Sequence, residues 1–202
     1  MARRPKPLQP DKGERRTMLV GYFTDAVEEL LEGGESYSDL SVERLINAVD
    51  ISRSTFYTYF NDKSGLLRAM GEDVTQDLAT AGAHWFELSP NASKEELRDA
   101  LRPLFETYRQ HQMVLRAITE TAAYDAGIRE LHLALVERAA TGLRGHLEQL
   151  KWAKSGDAER TALWLVWMLE RGLYQLVGPA GEDEVEGLLS AMTDLVWGAL
   201  YD

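Results

Sequence analysis

Arg53, Ser54, Thr55 and Tyr57 stand within five consecutive residues: a guanidinium, two hydroxyls and a phenol with no carboxylate between them. Such a set makes hydrogen bonds rather than covalent bonds. A guanidinium can pair bidentately with O6 and N7 of guanine, which is worth about 1–3 kcal/mol of discrimination per good pair. Tyr57, Tyr59 and Lys63 suit phosphate oxygens better than base edges. Ser52 is placed to N-cap a short helix, which leaves Arg53, Ser54, Thr55 and Tyr57 near its exposed N-terminal end. Ser41 can N-cap a preceding short helix, and Leu45, Val49, Ile51 and Phe56 can close a small core beneath the pair. Asp50 falls in the turn between them, where a left-handed backbone is expected and Asp is better tolerated than most residues. Helix, tight turn and helix in this order suit insertion of the second helix into a DNA major groove.

The segment resembles the DNA-binding end of TetR-family transcriptional repressors. Ile51-Ser52, Thr55-Phe56-Tyr57-Thr58-Tyr59-Phe60, Lys63 and Leu66-Leu67 carry the resemblance. Leu30-Leu31-Glu32, Ser52-Arg53 and Leu169-Glu170-Arg171 look most like the ethionamide-resistance repressor subgroup. Four positions depart from the relatives' pattern. Asp50 replaces the usual turn Gly, Ile46 and Val49 stand where Ala is usual, and Gly65 replaces an acidic residue. The resemblance implies an all-α, nine-helix fold with a helix-turn-helix domain over residues 1–70 and a ligand-binding and dimerisation domain over 71–202. It also implies a homodimer on a palindromic operator in double-stranded DNA, released by a small hydrophobic effector.

The net charge of −11 looks wrong for a DNA binder, but its distribution matters more than its sum. Residues 1–70 hold 10 basic and 11 acidic side chains, the remainder 12 and 22. The first 16 residues carry six basic and two acidic groups. Residues 1–12 therefore read as a basic, disordered arm, with Arg3, Arg4 and Lys6 either touching the DNA backbone or only solubilising the chain. No apolar segment follows that arm, so it does not read as a signal peptide. The longest apolar run, Ala162 to Leu169, falls far short of the roughly 20 residues needed to span a membrane. Zero cysteines exclude disulfides and thiol chemistry and are compatible with the cytoplasm.

Helices are expected over about 11–32, as a short pair within 41–63, then over 63–87, from Ser93 onward, and over about 112–122, 125–153, 158–177 and 182–201. Their signals are Gly33-Gly34 as a C-cap, Ser93 to Glu96 as a capping box, Ser155-Gly156-Asp157 as a loop ending in an N-cap, and Gly178-Pro179-Ala180-Gly181 as a break. In the last helix Val185, Leu188, Leu189, Met192, Leu195 and Val196 form one apolar stripe. The helix before it, with Trp164 and Trp167, is apolar nearly all round. Either it is the central core helix of a monomer, or these residues form the dimer interface.

Three faces can converge behind the 63–87 helix: Leu97, Leu101, Leu104 and Tyr108; His132, Val136 and Ala139; and Val166, Leu169, Glu170, Leu173 and Tyr174. Such stripes are ordinary core or a ligand pocket, and Pro103 in mid-helix disfavours close packing. Glu170 requires a partner: His132, a ligand donor or a surface Arg. Leu169 replaces an Asn of close relatives, so the pocket is greasier than theirs. His84, His111, His132 and His146 show no metal-ligand spacing, and no P-loop, GxSxG or dinucleotide motif occurs. No cofactor, metal or catalytic set is expected. Two other readings stay open: a small-molecule sequestering protein that keeps the helix-turn-helix as scaffold, and, more distantly, an enzyme using Glu170 and His132.

Overall fold

The computed structural model describes residues 11–150 and 157–201. Among them every regular element is helical: α1 (Lys12–Leu31), α2 (Val42–Ala48), α3 (Arg53–Tyr59), α4 (Lys63–Phe86), α5 (Lys94–Gln110), α6 (Gln112–Thr121), α7 (Ala126–Gln149), α8 (Ala158–Gly172) and α9 (Glu182–Leu200). A 3-10 turn, Tyr37–Asp39, precedes α2. The all-α expectation and its helix order hold. The basic residues Arg3, Arg4 and Lys6, and the expected end of α7 near 153 with Ser155 and Gly156, lie outside the described residues.

Local side chains set most boundaries. Asp11 and Glu14 form a capping box, each accepting from the other's backbone N–H at 2.8 Å. Helix α1 therefore begins within the stretch read as a basic arm, because Asp11 satisfies its first free amides. Gly34, at φ +86°, ends the helix in the left-handed conformation that Gly adopts at little cost. Ser93 and Glu96 form the expected box at α5, and Asp157 caps α8 by accepting from the Arg160 amide at 2.9 Å. Asp62 caps α4 through the Gly65 amide at 2.7 Å, a signal the sequence carried unread.

Beneath α2 and α3 the core is aromatic. Phe23 of α1 meets Phe56 and Phe60 edge-to-face, with centroids 5.9 and 5.7 Å apart. Leu45 and Phe56 are wholly buried, while Val49 and Ile51 pack at the margin. Helix α4 runs without a break through residue 70, so one rigid rod belongs to both expected domains. In the body it packs on α5, α6 and α7, while α7 lies against α8 and α5 against α9. Gly71 permits the close approach: a Cβ there would lie 2.6 Å from Leu131 and 2.9 Å from Ile118. Pro103 sits inside α5 without ending it.

Beyond Gly172 the chain of α8 winds into a wider π turn, Leu173–Val177, closed by the Gly178 N–H donating to the Leu173 carbonyl at 2.8 Å. A π turn inside a helix often marks a functional site, and this one begins at residues expected to line the cavity.

Candidate nucleic-acid interface and ligand cavity

Ser52 is the N-cap of α3, its Oγ accepting from the Thr55 amide at 3.1 Å and lying 3.0 and 2.8 Å from the hydroxyls of Ser54 and Thr55. Ser41 does the same for α2 through the Arg44 amide at 3.2 Å. Asp50 supplies the turn at φ +50°. These contacts leave Arg53 and Tyr57 outward, at 62% side-chain and 45% whole-residue exposure. The Arg53 guanidinium lies 5.5 Å over the Tyr57 ring and pairs with Glu43 of α2. An exposed pair of this kind is worth about 0–1 kcal/mol, so a phosphate or guanine can replace Glu43 cheaply. Ser54 is exposed, and Thr55 and Tyr59 are half-buried.

Lys63 is a correction. Its ammonium donates to the carbonyls of Tyr37, Ser38 and Leu40 at 3.0, 2.7 and 2.9 Å and sits 5.4 Å from the Tyr37 ring centroid. Three donors meet three acceptors, so none is left for a phosphate. Desolvation lowers the Lys63 pKa. Tyr37 completes the clasp by donating its hydroxyl to the Lys63 carbonyl at 2.9 Å. Lys63 thus fixes the 3-10 turn that leads into Ser41 and α2.

Behind α4 lies a cavity of about 280 Å³. Nine of the expected residues line it: Leu104, Tyr108, His132, Val136, Ala139, Val166, Leu169, Glu170 and Leu173. Three do not. Leu97 and Leu101 are wholly buried core residues two turns and one turn before Leu104, where α5 packs against α4 and α9. Tyr174, next to Leu173 in the π turn, is half-buried outside the wall, and its ring carries the Arg171 guanidinium at 5.3 Å. The wall overlooked from sequence is α4 itself, through Thr75, Leu78, Ala79, Gly82, Trp85 and Phe86. Their three- and four-residue spacing was a legible signal. Leu115, Ile118 and Thr119 of α6 close the space.

The polar groups of this cavity are few. His132 Nε2 and Glu170 Oε1 lie 3.4 Å apart, within ion-pair range but misaligned for a hydrogen bond. The His132 ring stacks on Trp167, with centroids 6.1 Å apart. Tyr108 is buried nearby, and desolvation followed by the Glu170 charge raises its pKa.

The ends of the cavity wall are tied to the rest of the molecule. Buried His146 lies 3.0 Å by Nδ1 from the Phe86 carbonyl and 2.6 Å by Nε2 from the Tyr201 hydroxyl. A carbonyl only accepts, so Nδ1 carries the proton, Nε2 accepts from Tyr201, and the Tyr201 oxygen accepts from Trp85 Nε1 at 3.2 Å. Neutral His146 is thereby satisfied on both nitrogens, and desolvation lowers its pKa from 6.5. A group held neutral in the fold gives stability that is present above its unfolded pKa and lost as pH falls below it. Stability measured by urea unfolding should therefore fall between pH 7.5 and 5.5, and the fall should be smaller in His146→Gln.

At the other end, α6 lacks a local cap and Glu28 of α1 supplies one, accepting from the Met113 and Val114 amides at 2.9 and 3.0 Å. Arg116 of α6 returns the service to α1, donating to the carbonyls of Leu31 and Glu35 at 3.3 and 2.7 Å. Burial raises the Glu28 pKa against these amide bonds.

Of the expected interface residues, Leu189 and Val196 are buried within the subunit's own core, a second correction: they lie on the inner side of α9 and are not available to a partner. Trp167, Val185, Leu188 and Met192 are half-buried, while Trp164 and Leu195 remain 78% and 59% exposed. Leu163, Met168 and Leu176 are exposed apolar residues that the stripe did not include.

Residues 25–70 match the family model described as bacterial regulatory proteins, tetR family. The HTH-type transcriptional regulator EthR of Mycobacterium tuberculosis (strain ATCC 25618 / H37Rv) is 30% identical over 134 residues, covering 66% of this chain and 60% of that protein. The EthR of Mycolicibacterium smegmatis is 22% identical over 133 residues, 66% of this chain and 59% of its own. The chain thus spans about 60% of these curated relatives. Among solved structures, a TetR-family transcriptional regulator from Streptomyces coelicolor superposes with a TM-score of 0.70 at 19% identity, over 96% of this chain and 85% of that one. The TetR-family regulator PfmR from Thermus thermophilus superposes at 0.68 and 21% identity, over 87% and 96%.

The fold is that of a helix-turn-helix protein with a helical body behind it. Residues 25–70 are similar to the tetR-family helix-turn-helix, and the similarity to EthR is in keeping with the resemblance read from Leu30-Leu31-Glu32, Ser52-Arg53 and Leu169-Glu170-Arg171.

Proposed function

We propose that this protein is a dimeric, DNA-binding transcriptional repressor of the cytoplasm, released from a palindromic operator by a small hydrophobic ligand. The observation that carries the reading is the exposed N-terminal end of α3, where Ser52 and Asp50 build the turn and Arg53 and Tyr57 stand exposed, Arg53 held only by a surface pair with Glu43. Residues 1–70 would read DNA and 71–202 bind ligand and partner, with α4 common to both. The dimer would form through the outer faces of α8 and α9, where Trp164 and Leu195 stand in water in the isolated subunit. Two recognition helices about 34–36 Å apart would then meet successive major grooves.

Ligand would act by population shift, since it can favour only the arrangement it binds better. The cavity is walled by α4, and α6 is bound to α1 through Glu28 and Arg116, so ligand-dependent positions of α4 and α6 would be felt at α3. EthR of M. tuberculosis, an HTH-type transcriptional regulator, supports the class of function.

The test is a pair of substitutions on a duplex enriched by the full chain. Arg53→Ala should weaken specific binding by about 1–3 kcal/mol and relax preference at one base position. Tyr57→Phe should weaken all sequences alike, because a phosphate contact carries no base information. Unchanged affinity in both would refute this assignment of the reading surface. Tight ligand binding without any enriched sequence would instead favour a sequestering role.

A further inference from the structure

We propose that the effector is a cationic amphiphile, an apolar body bearing an amine that binds Glu170 inside the cavity; this rests on the cavity being the effector site. Glu170 is the only carboxylate among the described residues of the wall, with its side chain 16% exposed. Its Oε2 is buried and has no hydrogen-bond partner among the described residues. The nearest basic groups do not supply one. His132 Nε2 faces the other oxygen at 3.4 Å without alignment and is itself buried and unpartnered, and Arg171 Nε lies 3.8 Å from Oε2 on a half-exposed side chain. A buried acceptor without a donor carries an uncompensated desolvation cost, and a ligand that brings the donor removes it.

The remaining wall selects the rest of the molecule. Leu104, Val136, Val166, Leu169 and Leu173 are apolar, and the Thr75 and Thr119 hydroxyls already donate to the carbonyls of Glu72 and Leu115 at 3.1 Å, so a second polar group along the body would find little beyond the Tyr108 hydroxyl. Leu169 beside it offers no polar atom, which leaves Glu170 as the anchor on this face of α8. Arg138 also borders the cavity, but it is exposed, so an anion held there would remain screened by solvent. At roughly 30 Å³ for a water-sized group in the liquid, 280 Å³ holds about nine such groups. A single-chain amine of that size matches both the volume and the one charged anchor.

Octylamine, 1-octanol and octanoate test this, since they share a tail and differ only at the head. Binding of each to the full chain is measured by titration calorimetry, and again to Glu170→Gln. The expected result is at least about tenfold tighter binding of octylamine than of 1-octanol, with octanoate weakest. In Glu170→Gln that preference falls to within about twofold, while 1-octanol keeps its affinity, which shows the cavity intact. Equal affinity for amine and alcohol, or an amine preference that survives Glu170→Gln, overturns the cationic class and leaves the cavity as an effector site. Binding of none of the three overturns the cavity as an effector site, and this inference with it.

Discussion

A chain carrying Trp164→Glu and Leu195→Glu together should sediment as a monomer at concentrations where the unmodified protein forms the proposed dimer. Its affinity for a palindromic duplex should fall by about 10²–10⁴, the usual worth of linking two weak sites. Both side chains are largely exposed in the subunit, so neither substitution opens a cavity or strands a charge in the core. Helical content and urea midpoint of the monomer should stay close to those expected of an intact subunit. Met168 lies one turn from Trp164, and Leu188 two turns from Leu195, so each mutated residue sits in an apolar row that extends beyond it. A carboxylate placed in a buried row costs far more than the lost contact, because it must be desolvated without a partner. If the double variant remained a dimer of unchanged affinity, subunits would not associate through these faces.

Lys63→Met should lower the stability of the protein by about 2–4 kcal/mol. The Met side chain can fill much of the same space but donates nothing. The Leu40 carbonyl and the more exposed Ser38 carbonyl would lose this donor, and the Tyr37 carbonyl would keep only the Leu40 amide at 3.3 Å; each stranded buried acceptor costs about 1–3 kcal/mol, less where water can reach it. The damage should spread to DNA binding through Ser41, which starts α2 directly after these residues. A phosphate-contacting Lys63 makes the opposite prediction: unchanged urea unfolding, and a salt dependence of DNA binding shallower by about one ion. Urea unfolding of the two proteins side by side separates the roles.

The residues that form α2, the turn and α3 could be read from the chain because each acts locally. Ser41, Ser52 and Asp50 satisfy amides or adopt a dihedral within three residues of themselves, and such contacts survive any tertiary arrangement. The role of Lys63 is not legible locally because its partners, Tyr37, Ser38 and Leu40, lie more than twenty residues away. Periodicity located the apolar faces of α5, α7 and α8 but not how far along each helix the cavity extends; Leu97 and Leu101 share a face with Leu104 yet are packed solid. The same limit applies to α9, where Leu189 and Val196 turn inward and Leu195 outward although all three belong to one stripe. The π turn at Leu173–Val177 and the caps exchanged between α1 and α6 have no pattern in single-helix periodicity, since both depend on neighbouring elements.

In the proposed function the exposed end of α3 reads a specific DNA sequence. The most direct measurement is selection of bound sequences from random duplex DNA by the full chain, at fixed salt, with Arg53→Ala run in parallel. The expected result is an enriched palindrome whose half-site centres are spaced for successive major grooves, with preference relaxed at one position per half-site in Arg53→Ala. Failure of any sequence to enrich above the random pool at moderate salt would contradict it, and would leave the helix-turn-helix as scaffold for the cavity behind it.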